Sequence, residues 1–221
     1  MMRKQFVVIG LGRFGGSVTR TLLSMGHEVM GIDKDERIVQ EFASVMTEVF
    51  QADSTDENLM RKLGVRNMDH AIVAIGEDLQ SSILTTLILK DLGLRTVTAK
   101  ATSDYHQRML EGVGADHIVH PERDTGIRVA HQVTSKNMIE YVELSPEHSL
   151  VEVLAPSTFN SKTLKTLNFR AKYGCSVMAI RRKRGELIVS PYADEVIFEG
   201  DMLVVIGNNK DIQRFERALE D

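Results

Sequence analysis

Residues 6–33 read FVVIGLGRFGGSVTRTLLSMGHEVMGID, and the order strand, glycine turn, helix, strand within this stretch decides the fold. Phe6 to Ile9 is a short apolar run of the kind that forms a strand buried on both faces, and Gly10, Gly12 and Gly15 follow it directly as GxGxxG. The spacing has a mechanical reason. The first glycine allows the tight turn, the second lets the backbone approach a pyrophosphate, and the third lets the new helix pack closely on its strand. That helix aims its N-terminus at the phosphates. Phe14, Val18, Leu22 and Met25 recur at helical spacing, Gly26 closes the helix, and Glu28 to Ile32 resume strand character up to Asp33. An acid at the end of the second strand accepts hydrogen bonds from ribose hydroxyls and repels a 2′-phosphate, so adenosine nucleotides or NAD(H) are expected and NADP is disfavoured.

The alternation continues along the chain. A helical segment spans Arg37 to Ala43, and a third strand, Glu48 to Gln51, ends near Asp53. Ser54-Thr55-Asp56-Glu57 has the S-x-x-E form of a capping box for a helix running to about Leu63. These polar residues read as caps, while Asp53, with Ser54 beside it, also reads as a nucleotide contact at the carboxyl end of a strand. Ala71 to Ile75 is a fourth strand. The following helix carries Leu79, Ile83, Leu84, Leu87, Ile88 and Leu92 as its expected apolar face. Thr96 to Lys100, a helix over Tyr105 to Val113 and a short strand at Ile118 to Val119 complete six strands alternating with helices. Such a pattern predicts a doubly wound parallel sheet in the order 3-2-1-4-5-6, with ligands beside the first strand.

A helix over Thr125 to Ser135, presenting Ile127, Ala130 and Val133, has no further strand of this sheet to return to and reads as a connector or dimerisation helix. Beyond Asn137 the segments become shorter and β-rich: Tyr141 to Leu144, Leu150 to Ala155, Ser176 to Ile180, Leu187 to Ser190 and Met202 to Ile206. The expected organisation is a Rossmann-like nucleotide domain over 1–122, a crossover helix over 123–137 and a small α+β regulatory domain over 138–221.

The 221 residues suffice for one or two domains, and the formal charge of −4 argues against general nucleic-acid affinity. No apolar run reaches the roughly 18 residues of a membrane span. The first strand starts too early for a signal peptide, and Cys175, the sole cysteine, has no internal partner, so a cytoplasmic location is expected. Arg181-Arg182-Lys183-Arg184-Gly185 lies between two strand-like runs and reads as a hairpin tip rather than a nucleic-acid patch. His106, His117, His120 and His131 lack zinc spacing and read as ordinary surface or core histidines. With no GxxxxGK[ST], the glycine turn is that of a Rossmann unit and not a P-loop.

Gly10-Leu-Gly-Arg-Phe-Gly15, Gly31-Ile-Asp33, Gln51-Ala-Asp-Ser-Thr55, Pro121-Glu122 and Asn168-Phe-Arg-Ala-Lys-Tyr-Gly-Cys175 together resemble the cytosolic regulatory subunits of bacterial Ktr/Trk potassium uptake systems, which contain a regulator-of-potassium-conductance fold. The resemblance implies homodimers assembled into an octameric ring beneath a membrane-embedded channel subunit, peripheral to the inner face of the membrane. It implies ATP and ADP, or NAD(H), as gating ligands. Gly10, Gly12 and Gly15 would hold phosphates with Phe14 alongside, Asp33 the ribose, Arg13 a terminal phosphate across the dimer, and Glu122 a divalent cation, magnesium or calcium. Taken without the resemblance, Arg13 is equally a solvated turn residue and Glu122 a first-turn helix acid favoured by the macrodipole. The resemblance also implies cyclic di-AMP between two C-terminal domains, at Asn168, Phe169, Arg170, Ala171, Val177 and Pro191. Here Asn168-Phe169 stands where relatives commonly carry an acidic and then an aliphatic residue.

Two other classes compete with a non-enzymatic gating subunit. An NAD-dependent oxidoreductase needs an acid or base positioned beside the nicotinamide, and the segment after Asn137 is short, with no evident catalytic pair. A redox-sensing transcription regulator needs a helical DNA-binding module, for which this acidic chain offers none.

Overall fold

The structure, a computed structural model, describes residues 3–134 and 137–220. The chain divides into two compact units, 1–122 and 123–221.

The first unit alternates strictly. Its elements are β1 (Gln5–Ile9), α1 (Arg13–Ser24), β2 (Glu28–Asp33), α2 (Glu36–Phe42), β3 (Glu48–Gln51), α3 (Glu57–Lys62), β4 (His70–Val73), α4 (Leu79–Asp91), β5 (Val97–Lys100), α5 (Asp104–Gly112) and β6 (His117–Val119). The sheet order is β3-β2-β1-β4-β5-β6, all parallel, so the order reverses at β1 as the sequence predicts. Successive residues of a strand point to opposite faces. Val7 and Ile9 of β1 accordingly join one core with Met60 of α3, Leu89 of α4 and Leu110 of α5, while Val8 joins another with Val29 and Phe42, against which Phe14 and Val18 of α1 pack. Each fully buried Val or Ile contributes about 1.5–3 kcal/mol relative to exposure, so both faces of β1 anchor the turn that follows it.

Helix starts follow side-chain chemistry. Asp35, Asp56, Asp78 and Ser103 cap α2, α3, α4 and α5 by accepting from Arg37, Leu59, Ser81 and His106 backbone N–H groups. The expected capping box on Ser54 is corrected: the cap of α3 is Asp56, because Ser54 turns its hydroxyl to Thr85 of α4 at 2.7 Å. The buried side of α4 also differs from expectation. Ser82, Thr85, Thr86, Ile88 and Leu89 face inward, whereas Leu79, Leu84 and Leu87 are exposed.

α6 (Pro121–Thr134) begins with proline at its first position, where the missing N–H costs nothing. The expected helix end at Ser135, and residue 136 of the crossover segment, lie outside the described residues. Ile127, Val129 and Val133 of α6 are exposed.

The second unit contains β7 (Met138–Ser145), β8 (His148–Leu154), β9 (Lys162–Thr163), α7 (Leu164–Leu167), α8 (Phe169–Tyr173), β10 (Ser176–Arg181), β11 (Leu187–Val189), β12 (Val196–Ile197), β13 (Met202–Asn208) and α9 (Asn209–Glu220). Five strands pair antiparallel in the order β11-β10-β13-β8-β7, and β9 and β12 form a separate pair. β8 alternates cleanly, burying Ser149, Val151 and Val153. Onto this face α9 brings Ile212, Phe215 and Leu219 at helical spacing, and Phe159, Phe169 and Phe215 form an aromatic cluster. The hairpin reading of Arg181 to Gly185 holds: β10 and β11 flank the turn and Gly185 supplies its positive φ of 92°. Arg182 departs from a solvated tip. Its guanidinium folds inward onto Asp201 (2.5 Å), Glu195 and the Val196 carbonyl (2.7 Å).

Candidate functional site

The site opens at the carboxyl ends of the parallel strands, beside β1. Gly10 adopts φ +87°, and its N–H donates to the Ile32 carbonyl at 2.8 Å, tying the turn to β2. A Cβ on Gly15 would lie 1.8 Å from the Gly10 carbonyl oxygen, so only glycine lets α1 start this close to its strand. At Gly12 an added Cβ would meet nothing within 4 Å. The three glycines thus have distinct roles, and the middle one borders open space. α1 has no side-chain cap and no acid in its first turn, which leaves its first N–H groups without the partners a capping side chain would provide. Such a helix start favours an anion.

Around this turn lies a cavity of about 470 Å³, within the range of small-molecule sites. It brings together eight of the expected residues: Gly10, Gly12, Arg13, Phe14, Asp33, Asp53, Ser54 and Glu122. Gly15 lies behind them as a packing residue. The Asp33 carboxylate is nearly buried, at 9% exposure, and accepts from the backbone N–H of Leu11 (2.7 Å) and of Asp35 (2.9 Å). Each of its oxygens retains acceptor capacity for a ribose hydroxyl. Asp53 accepts from the Thr55 hydroxyl and backbone N–H, bonds that hold its carboxyl below the ordinary value. Asp78, which also lines the cavity, is lowered in the same way by Ser81. Ser54 is 6% exposed and spends its hydroxyl on Thr85, which places it in the wall.

One end of the cavity is cationic. Arg13 is exposed beside the turn, and Lys100, at the end of β5, reaches Glu122 in the first turn of α6 at 2.6 Å. The Lys100 ammonium also lies 6.0 Å from the Phe14 ring centroid. Hydrogen bonding to Lys100 is the main cause that lowers the Glu122 carboxyl, and the charge of Arg13 adds to it. Sequence reasoning missed Lys100 as a site residue. Its position at the carboxyl end of a strand near the switch point was the available signal.

The second group of expected residues is only partly gathered. Asn168 adopts φ +47° between α7 and α8. Arg170 is exposed and donates from Nε to the Ser176 hydroxyl at 3.0 Å, which brings it to the start of β10 near Val177. Ser190, preceding Pro191, donates its N–H to the Met178 carbonyl (2.8 Å), bringing that segment to the same strand. Ala171 is exposed. Phe169 packs in the core of this unit, at 5% exposure and with its ring 5.6 Å from that of Phe159. Among the described residues no group of three or more His, Cys, Asp or Glu side chains is gathered to hold a metal ion, and no helix is long and apolar enough to cross a membrane.

Residues 6–121 match the TrkA-N domain, and residues 149–220 the TrkA-C domain. The Ktr system potassium uptake protein C of Bacillus subtilis (strain 168) is 55% identical over 218 residues, covering 99% of this chain and 98% of that protein. The Ktr system potassium uptake protein A of the same organism is 47% identical over 213 residues, covering 96% of each. A solved structure described as the GsuK channel bound to NAD superposes with a TM-score of 0.69 at 18% identity, over 100% of this chain and 40% of that longer one, a likeness of fold. A Rossmann-like TrkA-N domain, a TrkA-C domain and 55% identity over nearly the whole length place the chain: it belongs to the Ktr family of potassium uptake proteins, as a regulator of the KtrA/KtrC kind.

Proposed function

We propose that this chain is the nucleotide-sensing gating subunit of a potassium uptake system, with ATP and ADP, or NAD(H), as ligands of the first unit and cyclic di-AMP as ligand of the second. The observation that carries the reading is the single crevice in which the glycine turn, Asp33 and the Arg13-Lys100-Glu122 group meet. The turn and the open start of α1 suit a pyrophosphate, Asp33 suits a ribose, and the cationic end suits further phosphates. The chain then acts by binding, without a catalytic step.

The subunit would form homodimers within a homo-octameric ring held at the inner face of the membrane by a membrane-embedded channel subunit. Val129 and Val133, one turn apart on the same face of α6, are exposed and supply apolar contact for the homodimer. Nucleotides gate by their differential affinity for two ring shapes, since a ligand that binds both equally shifts nothing. A divalent cation, magnesium or calcium, fits at Glu122 only together with nucleotide phosphates. Glu122 is one carboxylate, and magnesium is commonly held by one or two carboxylates plus substrate phosphates. In the second unit, Asn168, Arg170, Ala171, Val177 and Pro191 are the proposed contacts for cyclic di-AMP, with the Arg170 guanidinium held at the start of β10 by Ser176.

Calorimetric titration of nucleotide-free protein with ATP, ADP, NADH and cyclic di-AMP tests the reading, using the wild type and Arg170→Ala. The variant should lose cyclic di-AMP binding and keep ATP binding. Parallel loss of both would overturn the assignment of two sites, and a wild type that binds none of the adenine nucleotides would overturn the sensing function.

A further inference from the structure

The Lys100–Glu122 pair is lopsided. The lysine side chain is only 12% exposed, whereas the glutamate side chain is 69% exposed. An exposed ion pair contributes little to stability, but an ammonium withdrawn from water requires an anion. Glu122 supplies one, reaching over from the first turn of α6. Room for the ammonium is made at Gly76, where an added Cβ would stand 3.1 Å from Nζ. The pair also lies beside the glycine turn, since the ammonium is 6.0 Å from the ring of Phe14, the second residue of α1. A carboxylate at the end where phosphates enter opposes them, and the same carboxylate holds a cation that would attract them.

From this we infer that Lys100 is a phosphate-binding residue of the nucleotide site, held on Glu122 until a nucleotide phosphate takes it over; the inference rests on the nucleotide reading of the crevice. Lysine is suited to such a handover. Its ammonium is a point charge on a flexible four-carbon stem and can change partner without the fork geometry that an arginine requires. A phosphate offers several charged oxygens in place of one exposed carboxylate, and charge-assisted bonds of this kind are the stronger sort. The exchange frees Glu122. Its carboxylate then faces the phosphates unneutralised, unless Arg13 or a divalent cation covers it.

The test is calorimetric titration of the full-length protein with adenosine and with ADP, in EDTA so that divalent ions play no part. Lys100→Met should weaken ADP about tenfold or more and leave adenosine unchanged. Glu122→Gln, which removes the competitor at an exposed position, should tighten ADP by a few fold. Opposite signs for the two variants mark an exchange, because a bracing pair would fail in the same direction from either side. An unchanged ratio of ADP to adenosine affinity in Lys100→Met, or equal weakening of ADP by both variants, overturns the inference. If the wild type binds neither adenosine nor ADP, it is the nucleotide reading itself that fails.

Discussion

Asp33 Oδ2 accepts a 2.7 Å hydrogen bond from the backbone N–H of Leu11, so the last residue of β2 clamps the glycine turn that follows β1. The carboxylate is therefore a clamp as well as the proposed ribose acceptor, because it fixes the backbone of the glycine turn. Asp33→Ala should lower adenine-nucleotide affinity by about 1.5–3 kcal/mol through lost bonds to a charged group. It should also lower the stability of the first unit by about 1–3 kcal/mol, since the Leu11 N–H is left buried without an acceptor. Titration of ADP and a thermal melt measure the two effects separately. Unchanged affinity alongside a lowered melt would leave Asp33 as a clamp alone.

In the second unit the comparable commitment is Arg182 on Asp201, whose carboxylate is 2% exposed and also accepts the Phe198 N–H at 2.9 Å. Arg182→Ala strands a buried charge and should cost about 3–5 kcal/mol. Cys175 gives a local readout, since its thiol is buried and pushed up to about 11 by burial, then by Asp211. Alkylation should be slow in the wild type at pH 8 and markedly faster in Arg182→Ala, where opening of this unit exposes the thiol. Equal rates in the two proteins would show that the ion pair does not hold the unit closed.

Why one half of the chain was so much more legible than the other follows from these residues. Strands buried on both faces leave continuous apolar runs such as Phe6 to Ile9, and the glycine turn tolerates no other residue at Gly15, so β1 to β2 announce themselves. The buried side of α4 was misread because Thr85 meets Ser54 there, and small hydroxylated residues at a close approach look polar in a periodicity count. Leucine at 79, 84 and 87 then stands exposed. In the second unit α9 was legible in principle, since Ile212, Phe215 and Leu219 recur at helical spacing on an otherwise polar segment, but the β-rich reading of this half passed over it. Two-residue strands such as β9 and β12 are too short to carry a period. For Lys100 the strand-end position was a signal, but the pairing that gives it meaning was not legible, since Glu122 lies 22 positions away and comes near through the β5–β6 crossover.

His106 adds a pH dependence to the first unit. It is fully buried, its Nδ1 faces the Thr102 N–H at 3.3 Å, and burial, then the neighbouring His120, lowers its pKa. The unfolded chain takes up this proton near pH 6.5 while the folded one resists it. Stability is therefore complete above about 6.5 and falls as pH drops below it, by up to ~1.4 kcal/mol per pH unit for one group. His70, lowered chiefly by burial, contributes with the same sign. Urea midpoints at pH 7.5 and pH 5.5 should differ more for the wild type than for His106→Gln. Identical differences would assign the acid sensitivity to other groups.

Arg13 stands at the cationic end of the crevice, exposed beside the turn and near enough to Glu122 to lower its carboxyl. If ATP and ADP stabilise different ring shapes, discrimination has to come from contacts that a third phosphate makes and a second does not. In the proposed site the glycine backbone, the start of α1 and Asp33 would serve the part that both nucleotides share, setting affinity without setting preference. Arg13, exposed on the lining of the crevice, is the residue proposed to reach the terminal phosphate, across the homodimer in the proposed assembly. Arg13→Ala should leave ADP affinity nearly unchanged and weaken ATP by about 1.5–3 kcal/mol, the value of a hydrogen bond to a charged group. In vesicles reconstituted with the channel subunit, potassium flux should lose most of its difference between ATP and ADP. Full discrimination by the variant would move the sensing of the third phosphate away from Arg13, to Lys100 or Lys34, the other cations lining the crevice.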